Sequence, residues 1–384
     1  MYRCFKTEID PNPDQIIKIN KTIGVCRFMY NFYISHNKEI YEAEERFENS
    51  REFIKWLNNE FLPDNPEYMW IKDVYTVSVK RSVENADKAF QSFFKKKSRF
   101  PKFKKKHSDD VKMYFYRNNK TDCLCDRHRV KIPTLGWVRL KEKGYLPITG
   151  SGLVIKSGTI SKKAGRYFIS ALVEMPDVEV HETYTDGIGI HLGVRELVTI
   201  STGQTFENIN KSEEIRNLEE QLKRVQKSLS RMYEYIRHGG SSDRKNIEKQ
   251  RLKIQRIHQK IANIRSDHVN KVICEIVKTK PSYITIGDLS VKDMSRNRLF
   301  SKAVAGQQFY AFRTKLALKC AENGIELRIA DKSLPYAKRC SRCGAVNSEL
   351  STRDSVFKCR CGHEADRGLN ASVNLREAVK YTVA

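Results

Sequence analysis

The tightest constraint on this fold lies near the end of the chain, where Cys340-Ser341-Arg342-Cys343 is followed by Cys359-Arg360-Cys361. Each pair fits one tight turn, and four thiolates can close a tetrahedral Zn2+ site without a large core around them. With all four positions supplied by protein, no vertex is left for water, so the zinc expected here is structural. The second pair is one residue shorter than the usual C-x2-C, which leaves His363 as a reserve ligand. The other six of ten cysteines show no disulfide spacing, and Cys123 and Cys125, near His128, lack a partner pair and read as plain thiols.

The second constraint is charge. The 384 residues hold 71 Lys and Arg against 46 Asp and Glu, a net charge of +25. Such an excess repels itself unless a polyanion neutralises it, and nucleic acid is the leading candidate. A membrane is also a polyanion, but no apolar run approaches the roughly 20 residues that span a bilayer, and no signal peptide is read at the start. A soluble, intracellular protein is expected. Its sharpest cationic segment runs from Lys95 to Lys106, with Lys95, Lys96, Lys97, Arg99, Lys102, Lys104, Lys105 and Lys106 interleaved by Phe100 and Phe103. That density suits a phosphate backbone, and a solvated linker is the plainer alternative.

Periodicity divides the rest. Tyr2 to Ile9 reads as a strand, and a helix opens after Pro13 and runs to about His36, within a helical region that reaches Phe94. Between Val111 and Met175 short alternating segments separated by Gly and Asn read as a small β-barrel. Two strands follow between Asp186 and Thr202. Ile215, Leu218, Leu222, Val225, Leu229, Met232 and Ile236 then alternate in steps of three and four, a heptad seam. After His238-Gly239-Gly240 the seam resumes at Ile247, Ile254, Ile257, Ile261 and Ile264, which predicts an antiparallel helical hairpin. Its basic outer faces either touch nucleic acid or are simply wet. A strand at Tyr283 to Ile286 leads into Gly287-Asp288-Leu289, and a helix and a further strand complete an α/β pattern.

In this order several segments resemble the TnpB proteins of IS200/IS605-type insertion sequences, relatives of compact type V CRISPR effectors. The anchors are Gly24-Val25-Cys26-Arg27-Phe28-Met29-Tyr30-Asn31, Phe100-Pro101-Lys102-Phe103-Lys104, Ile132-Pro133-Thr134-Leu135-Gly136-Trp137-Val138, the hairpin, Cys340 to Gly344, and Cys361-Gly362-His363-Glu364-Ala365-Asp366-Arg367 running into Asn370-Ala371. The resemblance extends nearly end to end. It implies an α+β multidomain fold: a wedge-like β-barrel (1–13 and 107–182) interrupted by a helical recognition domain (14–106), then a ribonuclease-H-like, RuvC-type domain (183–335 and 364–384). That last domain would carry a helical hairpin (211–270) and a zinc ribbon (336–363). Guide RNA and double-stranded target DNA are the implied partners, with the oligomeric state open, and a bacterial cytoplasmic protein that joins the nucleoid when bound to DNA. By alignment, the short motif flanking the target would be read by Thr76, Lys80, Arg117 and Asn118.

Members of this family that cut DNA hold two divalent cations about 4 Å apart on three carboxylates. The matching positions here are His191, Gly287 and Gly368. Three missing acids imply no catalytic residues, no catalytic Mg2+, and a nuclease-dead member of the family that is not an enzyme and represses transcription by staying on its target. Two readings stand beside it: a divergent endonuclease using Asp186, Asp288 and Asp366 as shifted ligands, and a decayed transposon protein.

Overall fold

The computed structural model describes residues 2–106, 111–119, 122–150, 152–176, 184–288, 306–351 and 354–384. It divides into two compact units, Met1–Asp177 and Val178–Ala384.

In the first unit strand β1 (Tyr2–Asp10) leads into helix α1 (Pro13–Glu44). The helix starts where the sequence provides a start: Asn12 accepts a hydrogen bond from the Gln15 amide at 2.8 Å, and Gln15 returns one from the Asn12 amide at 3.0 Å. Pro13 sits in the first turn, where its missing N–H costs nothing. The helix runs eight residues past the expected end at His36, stopping at Glu45 with a left-handed backbone (φ 52°). The buried Asn37 anchors that extension, because its side-chain oxygen caps the Glu48 amide at 2.8 Å. Helices α2 (Ser50–Trp56) and α3 (Thr76–Phe94) pack on α1 through Tyr33, Phe53, Leu57, Val83 and Phe90.

The remaining strands of this unit are β2 (Met113–Tyr116), β3 (Arg129–Ile132), β4 (Gly136–Leu140), β5 (Val154–Lys163) and β6 (Arg166–Glu174). They join β1 in the order β2-β5-β6-β1-β4-β3, every pairing antiparallel. Along β6 the buried residues Tyr167, Ile169, Ala171 and Val173 alternate with outward ones, the period-two pattern of a sheet with one face on a core. Ile16, Ile19 and Ile23 of α1 complete that core. The Gln15 amide nitrogen also ties α1 to the sheet, donating to the Leu135 and Trp137 carbonyls at 3.0 and 2.9 Å.

The second unit is built on a sheet of β7 (Ile188–Leu192), β8 (Glu196–Ile200), β9 (Thr205–Glu207), β10 (Tyr283–Gly287), β11 (Glu326–Ala330) and β14 (Tyr381–Val383), in the order β14-β11-β10-β7-β8-β9. Strands β7, β10 and β11 are mutually parallel, and the flanking strands are antiparallel. Helices α4 (Glu213–Arg237) and α5 (Arg244–Lys278) form the hairpin. The seam residues Ile215, Leu218, Val225, Ile257 and Ile261 are buried between them. Helix α5 continues to Lys278, past the expected 270, because its last turns present Val269, Val272, Ile273, Ile276 and Val277 to the sheet. Helix α6 (Phe309–Glu322) joins the same core through Phe312 and Leu316.

Helix α7 (Arg367–Arg376) covers the opposite face, so closely that a Cβ at Gly189 would lie 1.9 Å from the Ser372 carbonyl oxygen. Only glycine fits there. Before α7, β12 (Val356–Lys358) and β13 (Glu364–Asp366) pair as a two-stranded ribbon, whose second strand extends beyond the expected boundary at 363 because Asp366 still pairs with Val356.

Candidate functional site

Three strand ends and one helix start bring His191, Gly287 and Gly368 into one neighbourhood. His191 on β7 pairs with Thr199 on β8, and a Cβ at Gly368 would lie 2.8 Å from the Thr199 Oγ1. On the other side, the Tyr336 ring stands edge to face with His191, centroids 6.2 Å apart. A Cβ at Gly287 would meet the Tyr336 hydroxyl at 2.5 Å and its Cζ at 2.6 Å. The space beside each glycine is therefore taken by a neighbouring side chain, Tyr336 at one and Thr199 at the other.

The electrostatics follow from enclosure. His191 Nδ1 is buried with no hydrogen-bond partner, and burial, reinforced by Arg367 and opposed by Asp366, lowers the imidazole pKa to about 4. The ring is neutral at physiological pH. Burial, followed by the charge of Asp288, raises the Tyr336 phenol, so it too stays neutral. None of His191, Gly287, Gly368, Thr199 and Tyr336 supplies a carboxylate.

The shifted acids have other employment. Asp366 caps α7, accepting from the Gly368 and Leu369 amides at 2.8 and 3.1 Å. Asp288 pairs with Arg313 at 3.0 Å and Lys332 at 3.4 Å. Asp186 is exposed ahead of β7, and Leu289 lies outside the described residues. A pair of Mg2+ ions needs several hard, anionic oxygens converging on one point. The donor set here does not fit such a pair.

Cys340, Cys343, Cys359 and Cys361 do converge, all four sulfurs lying within 4.8 Å of one another. Among the described residues no other group of three or more His, Cys, Asp or Glu donors could share an ion. The Cys340–Cys361 and Cys343–Cys359 sulfur separations are 3.8 and 3.5 Å, close to the roughly 3.8 Å edge of a tetrahedron with Zn–S bonds near 2.3 Å. His363 is not needed: its Nε2 lies 3.1 Å from the Ser341 hydroxyl.

Two residues that sequence reasoning did not assign a role join this cluster to the sheet. The buried Asn370 accepts from the Ser341 amide at 2.9 Å and donates to the Arg339 carbonyl at 2.7 Å. Asn374, one turn later, donates to the carbonyls of Tyr336 and Arg339 at 3.0 and 2.7 Å. The Asn-x3-Asn spacing on one helix face was the available signal. Tyr336 had none.

In the first unit the expected nucleic-acid contacts fall into two groups. Thr76 and Lys80 are exposed on the first turns of α3, and the loop with Arg117 and Asn118 is tied beside them by a 3.3 Å hydrogen bond from the Asn118 amide to the Tyr75 hydroxyl. The basic run is ordered, not a loose linker. Asn31 holds the Lys104 backbone through two hydrogen bonds of 3.0 and 2.7 Å, Pro101 is buried, and Phe100 sets its ring against Phe90 and Phe93. Lys95, Lys96, Lys97, Arg99, Lys102 and Lys105 are left exposed, while the Lys104 ammonium sits 5.3 Å above the Tyr30 ring.

Three family models match consecutive parts of the chain: OrfB_IS605, "Probable transposase", over residues 170–298; the Cas12f1-like TNB domain over 309–375; and HTH_OrfB_IS605, a helix-turn-helix domain, over 1–46. The chain is a relative of the IS605-type OrfB (TnpB) proteins. The residues matching the helix-turn-helix model form one strand and a single long helix. InsQ of Escherichia coli (strain K12), named as an RNA-guided DNA endonuclease, is 28% identical over 98% of this chain and 92% of its own length. A Streptomyces pristinaespiralis protein named likewise is 28% identical over 98% of this chain and 89% of its own. A solved Cas12f1–sgRNA–target DNA complex shares the fold with a TM-score of 0.56 at 14% identity, covering 96% of this chain and 83% of that one. The fold is thus the expected α+β multidomain one, shared with that Cas12f1 chain.

These relatives correct one expectation. The chain was expected not to be an enzyme; the relatives that match 98% of it are named as RNA-guided DNA endonucleases, which contradicts that expectation. Among the described residues no helix is long and apolar enough to cross a membrane.

Proposed function

We propose that this chain is an RNA-guided DNA-binding protein of the TnpB type that represses transcription by occupying a guide-matched target next to a short flanking motif. The carrying observation is the pair of polar and cationic patches at the two ends of α3: Thr76 and Lys80 with the Arg117–Asn118 loop at its start, and the exposed Lys and Arg of the 95–105 run, fixed on an ordered backbone, after its end. In RNA-guided recognition, base pairing reads the target sequence while protein cations hold the heteroduplex by its backbone. The net charge of +25 supports that division of labour, and the full-length likeness to proteins named as RNA-guided supports the guide. Structural zinc on the four cysteines would keep the ribbon and, through Asn370 and Asn374, the Tyr336 segment in place.

Occupancy as the mode of action is supported by the chemistry at His191, Gly287 and Gly368. A neutral imidazole and two glycines give a divalent cation little to hold, whereas tight binding needs only the scaffold around them. The test is a reporter carrying a guide-matched site in its promoter, with transcript and template both quantified. Transcript should fall in a guide-dependent way while template copy number holds. No silencing at the matched site, or loss of the template in step with the transcript, would overturn the proposal.

A further inference from the structure

The outer end of the α4–α5 hairpin carries a cationic surface far along the helices from the sheet. Arg224, Lys227, Ser228, Arg231 and Tyr235 follow one another at helical spacing on α4, away from the buried seam. The connecting loop folds back onto this face. The Gly239 amide donates to the Ile236 carbonyl at 3.1 Å and the Gly240 amide to the Tyr235 carbonyl at 2.9 Å. Gly239 has φ +87°, a left-handed backbone that favours glycine, and Gly240 packs against the Tyr235 ring, to which an added Cβ would come within 2.5 Å. The result is an open hollow of about 610 Å3 in which Ser241 and Ser242 face Arg224, Lys227 and Arg231.

No acidic residue lines it, and these three cations make no ion pair among the described residues. The hairpin's ion pairs among the described residues lie away from this hollow: Lys260 with Glu214, Arg265 with Glu219, and Lys271 with Asp267. Three unpaired cations, three serine hydroxyls and one aromatic ring suit an anion with several acceptor oxygens and a flat group attached. From Arg224 to Arg231 the helix rises roughly 10 Å, the axial length of about three phosphates in one strand of a duplex.

We infer that this hollow is a seat for a phosphodiester backbone, with Tyr235 placed to stack a base. The inference rests on the proposed nucleic-acid function and deepens it. Guide RNA and target DNA carry the same backbone, so both are tested as separate arms.

The experiment uses the full-length, zinc-loaded chain with a single-stranded RNA and a double-stranded DNA of fixed length, titrated across salt concentrations. Arg224→Gln/Lys227→Gln/Arg231→Gln is compared with Lys245→Gln/Lys249→Gln/Lys253→Gln, which removes equal charge from exposed positions on α5. With RNA, the seat variant should flatten the plot of log affinity against log salt by about 2, from roughly 0.7 per lost contact. It should also bind at least tenfold more weakly than the control variant. The same excess loss confined to duplex DNA would assign the seat to the target. Equal losses from both variants in both arms would overturn the seat. If the unaltered chain held neither nucleic acid, the function on which the seat rests would fall instead.

Discussion

Replacing Gly287 with alanine asks whether Tyr336 really fills the space of a side chain at that position. Taken alone, Gly→Ala in an ordinary strand conformation stabilises by about 0.4–1 kcal/mol, through the lost freedom of the unfolded chain. Here the new methyl would sit 2.5 Å from the Tyr336 hydroxyl and 2.6 Å from Cζ, about 1 Å inside an ordinary contact. The ring has little room to retreat, since His191 stands at its edge and Asn374 holds its carbonyl. Overpacking of this kind costs about 1–3 kcal/mol, so the net sign should be destabilising. Tyr336→Ala alone should cost about 3 kcal/mol or more by opening a cavity. In the double variant the methyl enters that cavity, and the clash disappears. The two changes should therefore couple by about 1–3 kcal/mol, read by calorimetry of the zinc-loaded protein as a double-variant melting point roughly 2–12 °C above the additive expectation. Additivity within about 0.5 kcal/mol would refute the claim that Tyr336 occupies the place of the missing side chain.

Four further outcomes are expected. Cys343→Ala should lose the single equivalent of zinc measured by metal analysis, while His363→Ala should retain it, because His363 engages Ser341. Asn374→Ala leaves the Tyr336 carbonyl without its donor and the Arg339 carbonyl with Asn370 alone, and should cost about 1–3 kcal/mol in denaturant unfolding. For His191 the folded pKa, about 4, lies below the unfolded value near 6.5. The unfolded chain then takes the proton first as pH falls, so stability should drop between pH 6.5 and 4; His191→Gln should flatten the melting-point profile across that window. Lys80→Gln should change the preferred flanking motif in a randomised-library binding assay, and an unchanged preference would remove Lys80 from that role.

How much of this was legible in the sequence depended on how local the signal was. The cysteine pairs and the two heptad seams carry their meaning within a few residues of spacing, and they appear in the structure as one sulfur cluster and one hairpin. The ends of helices were less legible. Helix α1 outruns its strongly apolar stretch because Asn37, a polar residue, is buried as a cap for a distant amide, and α5 outruns its seam because its last turns change partner from α4 to the sheet. The site at His191, Gly287 and Gly368 was legible as three positions but not as a place. Thr199 and Tyr336, which fill it, sit on other elements far along the chain, and a glycine in a sequence says nothing about which neighbour has moved in beside it. Asn370 and Asn374 were visible as spacing, yet what they hold, the segment from Tyr336 to Ser341, emerges only once α7 is packed on the sheet.

The central claim is guide-directed binding, and the RNA that travels with the protein tests it most directly. The full-length chain would be purified, its bound RNA sequenced, and duplexes matched or scrambled relative to that RNA titrated at physiological salt. The account predicts one defined RNA species and a matched duplex held at least about 10³-fold more tightly than the scrambled one. A heterogeneous RNA pool, or equal affinity for both duplexes, would contradict it.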